Sequence, residues 1–266
     1  NILLDVVFVI GLGWGVEGVA LATFLAEWSG LALGLWFCGD AFGRPYWHSR
    51  RRVLDRARLW YMASVNRDIL IRSLLLEAIF VSFLFFGADF GDVTLAANQV
   101  LLQFIHIFAY ALDGFAFSAE TLVGNAKGRR DQARLRRSAL LTSFWGAFIA
   151  IALALIAAAT GAGLIDIMTT SPEVRAEARA YLPWVVAAPV LGVAAFQLDG
   201  IFVGATQVRD MRNMMLISTI IYFAAVAMLV PTYGNHGLWV ALLISLAARA
   251  VTLGPKYLAL ERAAAV

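Results

Sequence analysis

The chain has 266 residues, 61% hydrophobic and 15% charged, with mean hydropathy +0.78, formal net charge +3 and a pI near 9.2. A soluble domain carries about 25% charged residues and cannot hide apolar runs of ~18 residues repeated along its length, so the class is an all-α polytopic membrane protein. The single cysteine, Cys38, excludes a disulfide framework and a cysteine metal cluster, and reads as a small apolar residue at a helix end.

One partial and seven full transmembrane helices are predicted. Partial helix α1 ends near Ile10; α2 covers 18–38, α3 68–87, α4 93–124, α5 138–160, α6 180–206, α7 213–230 and α8 236–258. Gly, Pro and polar residues punctuate them at 11–18, 87–92, 170–173 and 231–237. With about 32 residues, α4 would be roughly 48 Å long at 1.5 Å per residue, so it tilts or projects from a ~30 Å hydrocarbon core. There is no initiator Met and no charged stretch before the first apolar segment, so residue 1 is expected to lie inside a longer protein.

Lys and Arg set the orientation. Seventeen of the 21 fall on alternate loops: Arg44 to Arg67 before α3, Lys127 to Arg137 before α5, Arg209 and Arg212 before α7, and Lys256 and Arg262 near the end. The positive-inside rule then places these loops and the C-terminus in the cytoplasm. Because the basic residues sit in short loops between apolar spans, a nucleic-acid partner is not expected. Segment 44–62 alternates basic with aromatic and aliphatic residues, and reads either as an interfacial amphipathic helix or as an ordinary basic loop.

An internal repeat is visible. Gly15-x-x-Gly18 precedes α2 and Gly234-x-x-Gly237 precedes α8, each after an apolar helix end. Aligning these glycines pairs α1 with α7 and α2 with α8, an offset of six helices. Residues 67–258 would then form a complete six-helix lobe. Residues 1–38 would be the last two helices of an earlier lobe, 39–66 a cytoplasmic linker and 259–266 a cytoplasmic tail. Same-direction repeats of six helices are a transporter design.

Ionisable groups at membrane depth face a partner or a cavity. On α4, Gln99, Gln103, His106, Tyr110, Asp113 and Glu120 recur at spacings of 3, 4 and 7, on one helical face. They line a substrate path or hydrogen-bond to other helices. Arg249 on α8 either pairs with an acidic residue of α4 or α6 or snorkels to the interface. Glu77 lies mid-helix in α3. On α6, Pro183 and Pro189 precede Asp199, a pattern read either as an interrupted helix at a binding site or as a packing kink. His48, His106 and His236 fall on three different segments. No nucleophile elbow, metal-ligand spacing or phosphate-binding glycine loop accompanies them, so no enzyme is expected.

Several stretches resemble the multidrug and toxic compound extrusion (MATE) family, in its DinF-type branch. Asn1-x-x-Leu4-Asp5 followed by Gly15-Val-Glu-Gly18-Val-Ala-Leu-Ala-Thr23 is similar to that family's fifth-to-sixth helix junction. Ala96-Ala97-Asn98-Gln99 resembles the start of its eighth helix, and Leu112-Asp113-Gly114-Phe115-Ala116 through Ala119-Glu120 to Gly124 and Gly128 resembles that helix's end. Leu198-Asp199-Gly200 resembles its tenth helix. The resemblance implies a secondary antiporter in a bacterial inner membrane. It would export organic, cationic or amphipathic compounds in exchange for protons or sodium, acting as a monomer once the remaining first-lobe helices are present, with no cofactor beyond the coupling ion. It also implies cation-coupling roles for Asn1, Asp5, Asp199 and Glu77; Asp113 joins these candidates from its place on the polar stripe of α4, whose Gln99, Gln103, His106, Tyr110 and Glu120 are read, with Arg249, as the substrate path. A lipid-linked or glycan flippase of the same broad fold is the alternative, expected to favour basic cavity residues.

Overall fold

A computed structural model of the chain describes residues 1–39 and 54–263. All regular elements among them are helical: α1 (Ile2–Asp5), continuing as one π-helical stretch (Val6–Gly11), then α2 (Gly15–Phe37), α3 (Arg56–Ala88), α4 (Asp92–Gly128), α5 (Gln132–Met168), α6 (Pro172–Gly204), α7 (Val208–Tyr233) and α8 (Asn235–Ala263). From α2 onward each is long and apolar enough to cross a membrane, seven in all. The chain divides into two compact units, residues 1–61 and 62–266.

Two boundaries differ from those expected. Helix α3 begins at Arg56, twelve residues before the predicted start, so 56–66 is helical. Arg, Leu, Met and Ala are good helix formers, and nothing between Arg56 and Asp68 breaks the helix; apolarity alone had set the boundary too late. The rest of segment 44–62, from 44 to 53, lies outside the described residues. Helix α4 reaches Gly128 and has 37 residues.

In the first unit, Gly15 has φ +53°, a left-handed turn that favours glycine, and a Cβ on Gly18 would stand 3.2 Å from the backbone of Phe8. In the second unit, Gly234 has φ +55°, and a Cβ on Gly237 would overlap the backbone carbonyl of Leu229. Each glycine pair therefore does the same two jobs. Its first member turns the chain, and its second lets the new helix lie against the one before it.

The second unit is built around α6, which packs against α4, α5 and α8, while α7 packs mainly on α8. Apolar burial does not drive helices together inside lipid, so close backbone approach matters more. On α6, Gly200 and Gly204 lie directly against the carbonyls of Ala116 and Glu120 on α4. Ser171 caps α6 by accepting from the Val174 N–H, and Asp131 caps α5 by accepting from the Arg134 N–H at 2.9 Å. Helix α6 runs on through Pro183 and Pro189 without a break, although each proline leaves one carbonyl of the preceding turn without its N–H.

Two apolar clusters form the core. One gathers Leu101, Phe104, Phe108, Val185, Trp239 and Leu242; the other gathers Val123, Leu135, Phe202, Met211 and Leu253. Helices α4, α6 and α8 run through both. Helix α3 joins the bundle through side chains at several levels: Asp68 to Arg212 at 2.5 Å, Phe80 to His106, and Phe83 edge-on to Trp239.

Candidate functional site

Helices α4, α6 and α8 each change character between the two clusters. On α4 the first cluster ends at Phe108 and the second begins at Ala119, with Asp113 between them. On α6 the gap holds Asp199, and on α8, Arg249. Three charged positions are thus brought to one level of the bundle. A cavity of about 320 Å³ opens there, lined by residues of α3, α4, α6 and α8.

At its centre one carboxylate receives two guanidinium groups. Arg249 Nη2 donates to Asp199 Oδ2 at 2.6 Å, and Arg72 Nη2 of α3 donates to the same oxygen. Asp199 and Arg249 are 8% and 3% exposed, so this is a buried ion cluster, in which desolvation works against charge and geometry decides the balance. Arg249 also lies over the Phe196 ring, 5.5 Å from its centroid. The Nε atoms of both arginines are buried and have no hydrogen-bond partner.

Of the residues singled out from the sequence, Glu77, His106, Asp113, Glu120, Asp199 and Arg249 all line this cavity. His106 packs against the Phe80 ring at 5.7 Å. Gln99, Gln103 and Tyr110 do not line it; they stay on the exposed face of α4 in this unit, Tyr110 at 75% exposure. Asn1 and Asp5 belong to the first unit. They are joined by the helical bond from the Asp5 N–H to the Asn1 carbonyl, and Asn1 Nδ2 reaches Thr23 Oγ1 at 3.5 Å. Asp5 Oδ1 is buried without a partner.

Arg72 is the residue that sequence reasoning passed over as a site. Its signal was present, an arginine four positions into a predicted apolar span, but nothing in α3 itself named its partner. A second missed feature is a buried polar knot. Asn98 exchanges hydrogen bonds with Asn235 at 2.8 and 3.0 Å and accepts from Trp239 Nε1 at 2.9 Å.

The sequence profile of the MatE family matches residues 69–229, more than half of the chain, from α3 through most of α7. The chain belongs to the MatE family. Among curated proteins of that kind, DNA damage-inducible protein F of Escherichia coli (strain K12) is 36% identical over 254 residues, covering 95% of this chain and 55% of that protein. Protein DETOXIFICATION 42 of Arabidopsis thaliana is 26% identical over 261 residues, covering 94% and 48%. The chain thus spans about half the length of the curated relatives it matches. In fold it is similar to the Vibrio cholerae MATE transporter VcmN in its bent form, with a TM-score of 0.81, 17% identity, and coverage of 98% of this chain and 60% of that one.

Proposed function

We propose that the chain supplies the second six-helix lobe, and the last helices of the first, of a secondary antiporter in a bacterial inner membrane. The antiporter exports organic, cationic or amphipathic compounds in exchange for protons or sodium. The observation that carries this reading is the mid-bundle cavity, where Glu77, Asp113 and Glu120 make no hydrogen bond or ion pair among the described residues. A carboxylate without a protein partner can take a proton or a sodium ion when open to one side and release it when open to the other. A cationic compound needs the same carboxylate charged, so compound and ion exclude one another, which is exchange. Aromatic and aliphatic walls suit an organic body.

Asp199 is the counter-ion of two arginines, so Asp113 is our first assignment for coupling in this lobe, with Glu77 beside it. Asp5, with its orphaned oxygen and its neighbour Asn1, is the assignment in the first lobe. The likeness to the Escherichia coli protein supports the bacterial inner membrane, and the distribution of basic residues supports a cytoplasmic C-terminus. The second reading, a flippase for lipid-linked or glycan substrates, is favoured by one observation, the paired arginines. Movement of a fluorescent lipid between leaflets would support it.

The test uses the full-length protein in proteoliposomes, with imposed proton or sodium gradients and a fluorescent organic cation. Wild-type protein should show efflux driven by one of the gradients, and Asp113→Asn should lose it while inserting normally. Wild-type rates in Asp113→Asn would overturn the assignment.

A further inference from the structure

We infer that a groove between the start of α5 and the end of α8 binds an anionic phospholipid. Arg136 and Arg137 hold its phosphate, and its acyl chains lie on Leu140, Leu141 and Phe144. This site lies apart from the mid-bundle cavity and does not depend on what that cavity transports.

Helix α5 turns two faces to two surroundings. Leu135, Ser138, Ala139 and Thr142 are buried, whereas Arg136, Arg137, Leu140, Leu141 and Phe144 are exposed. Steps of one, three and four residues put each set on its own side of the helix. Helix α5 packs on α4 and α6 and meets α8 only briefly, so a gap stays open between it and the end of α8. That gap is a groove of about 700 Å³, lined by the five exposed residues and by Glu261 of α8.

The groove has a charged end and an apolar end. Four residues of helix rise about 6 Å, so the arginines stand one turn from the leucines and about two turns from Phe144. Among the described residues, the Arg137 side chain makes no hydrogen bond or ion pair. Arg136 Nε stands 3.8 Å from Glu261 Oε1, too far for a hydrogen bond. Both guanidinium forks are therefore open to an oxyanion. At this end Arg129, Arg130, Arg134, Arg136 and Arg137 outnumber Asp131 and Glu261. Arginine stays charged at every accessible pH, so the standing charge here is positive.

The apolar end decides which anion fits. A free phosphate would use the arginines and leave Leu140, Leu141 and Phe144 bare. A phospholipid covers both ends, because its phosphate is joined to chains that run along the helix. Residues 138–160 of α5 carry no charge, so the two arginines flank the hydrocarbon region at headgroup depth. Basic pockets between transmembrane helices on the cytoplasmic side suit anionic headgroups. A zwitterionic headgroup brings its own cation, which the arginines repel.

The experiment titrates the full-length protein, purified in detergent, with phospholipids of identical acyl chains, and counts bound molecules by native mass spectrometry. Phosphatidylglycerol should bind more tightly than phosphatidylcholine by about fivefold or more. Arg136→Gln with Arg137→Gln should bring the two lipids within about twofold of each other. Arg56→Gln with Arg209→Gln removes two exposed charges outside the groove and should leave the preference unchanged. Leu140→Ala with Phe144→Ala should weaken both lipids about threefold and keep their ratio. Glu261→Gln removes the competing carboxylate and should tighten phosphatidylglycerol about twofold, a gain that a misfolded variant cannot show.

Equal affinity for the two lipids would overturn the site. So would an equal loss in the groove pair and the control pair, which would mark a general pull of surface charge. Displacement of phosphatidylglycerol by an equal concentration of inorganic phosphate would make the ligand a free oxyanion and overturn the lipid. A dimer abolished by Leu140→Ala with Phe144→Ala would put a second copy in the groove instead. Saturable binding of neither lipid would mean that another part of the full-length protein covers it, and would overturn it as well. None of these outcomes depends on whether Asp113 couples transport.

Discussion

Gly200 of α6 lies so close to the carbonyl oxygen of Ala116 on α4 that any side chain at position 200 would overlap it. This contact sits one residue from Asp199 and one turn of α4 from Asp113, so it sets the spacing of the two helices at the cavity. Gly200→Ala forces backbone to move, a form of overpacking that costs about 1–3 kcal/mol. We expect a lowered melting temperature in detergent and weaker substrate binding together. Gly114→Ala, where a Cβ would meet open space, is the control and should melt like the wild type. Equal melting of Gly200→Ala and wild type would show that the helices do not depend on this approach.

The Asn98 knot makes a second prediction. Asn98 is fully buried, and its side chain serves both Asn235 and Trp239, tying the start of α4 to the start of α8. Asn98→Ala removes the partner of two buried donors, each costing about 1–3 kcal/mol when left unsatisfied. Asn98→Asp keeps the oxygen that accepts from Asn235 and Trp239 but replaces the donor to Asn235 by a second acceptor. Thermal unfolding in detergent should rank wild type above Asn98→Asp and that above Asn98→Ala. An Asn98→Ala protein as stable as wild type would mean that the knot adds nothing.

The α4 stripe can be tested by labelling. Cysteines at Gln103 and Tyr110 should react with a small hydrophilic thiol reagent, those at His106 and Asp113 more slowly, and those at Leu101, Ile105 and Phe108 not at all. The first two positions are exposed, the next two half-buried and the last three buried. Uniform protection would mean that the face is covered by lipid or by other helices rather than water.

Topology gives the fourth prediction. Arg130 sits among basic residues between α4 and α5, and Glu173 opens α6 on the sparsely basic side. In intact cells producing the full-length protein, a cysteine at Glu173 should react with an impermeant maleimide and one at Arg130 should not. The reverse would invert the orientation that the positive-inside rule assigns.

Much of this was legible in the sequence. Helix number and order followed from apolar length, because in lipid a helix must satisfy its own backbone and the span fixes its minimum size. The glycine repeat before α2 and α8 was visible as spacing, and the structure gives it physical content in two matching turns and two close approaches. The acidic residues of α4 were found by periodicity. What periodicity cannot supply is partnership between helices. Arg249 could have paired or snorkelled, and only the packing of α8 on α6 brings it to Asp199. Arg72 was one arginine in an apolar helix, and its meaning depends on a residue 127 positions away. Gln99, Gln103 and Tyr110 recur with Asp113 along α4, yet they are exposed, while His106, Asp113 and Glu120, seven residues apart, face the cavity.

The turns of the second unit constrain how it can move. Its helices are joined by residues 89–91, 129–131, 169–171, 205–207 and Gly234 alone, never more than three residues. Links this short leave no slack, so one helix cannot slide along another by a full turn without dragging its neighbours. Any change of shape at the cavity must come from tilting the whole bundle or from bending within a helix. The prolines of α6, one of them in the cavity wall, mark where the backbone has already given up the hydrogen bonds that would resist bending.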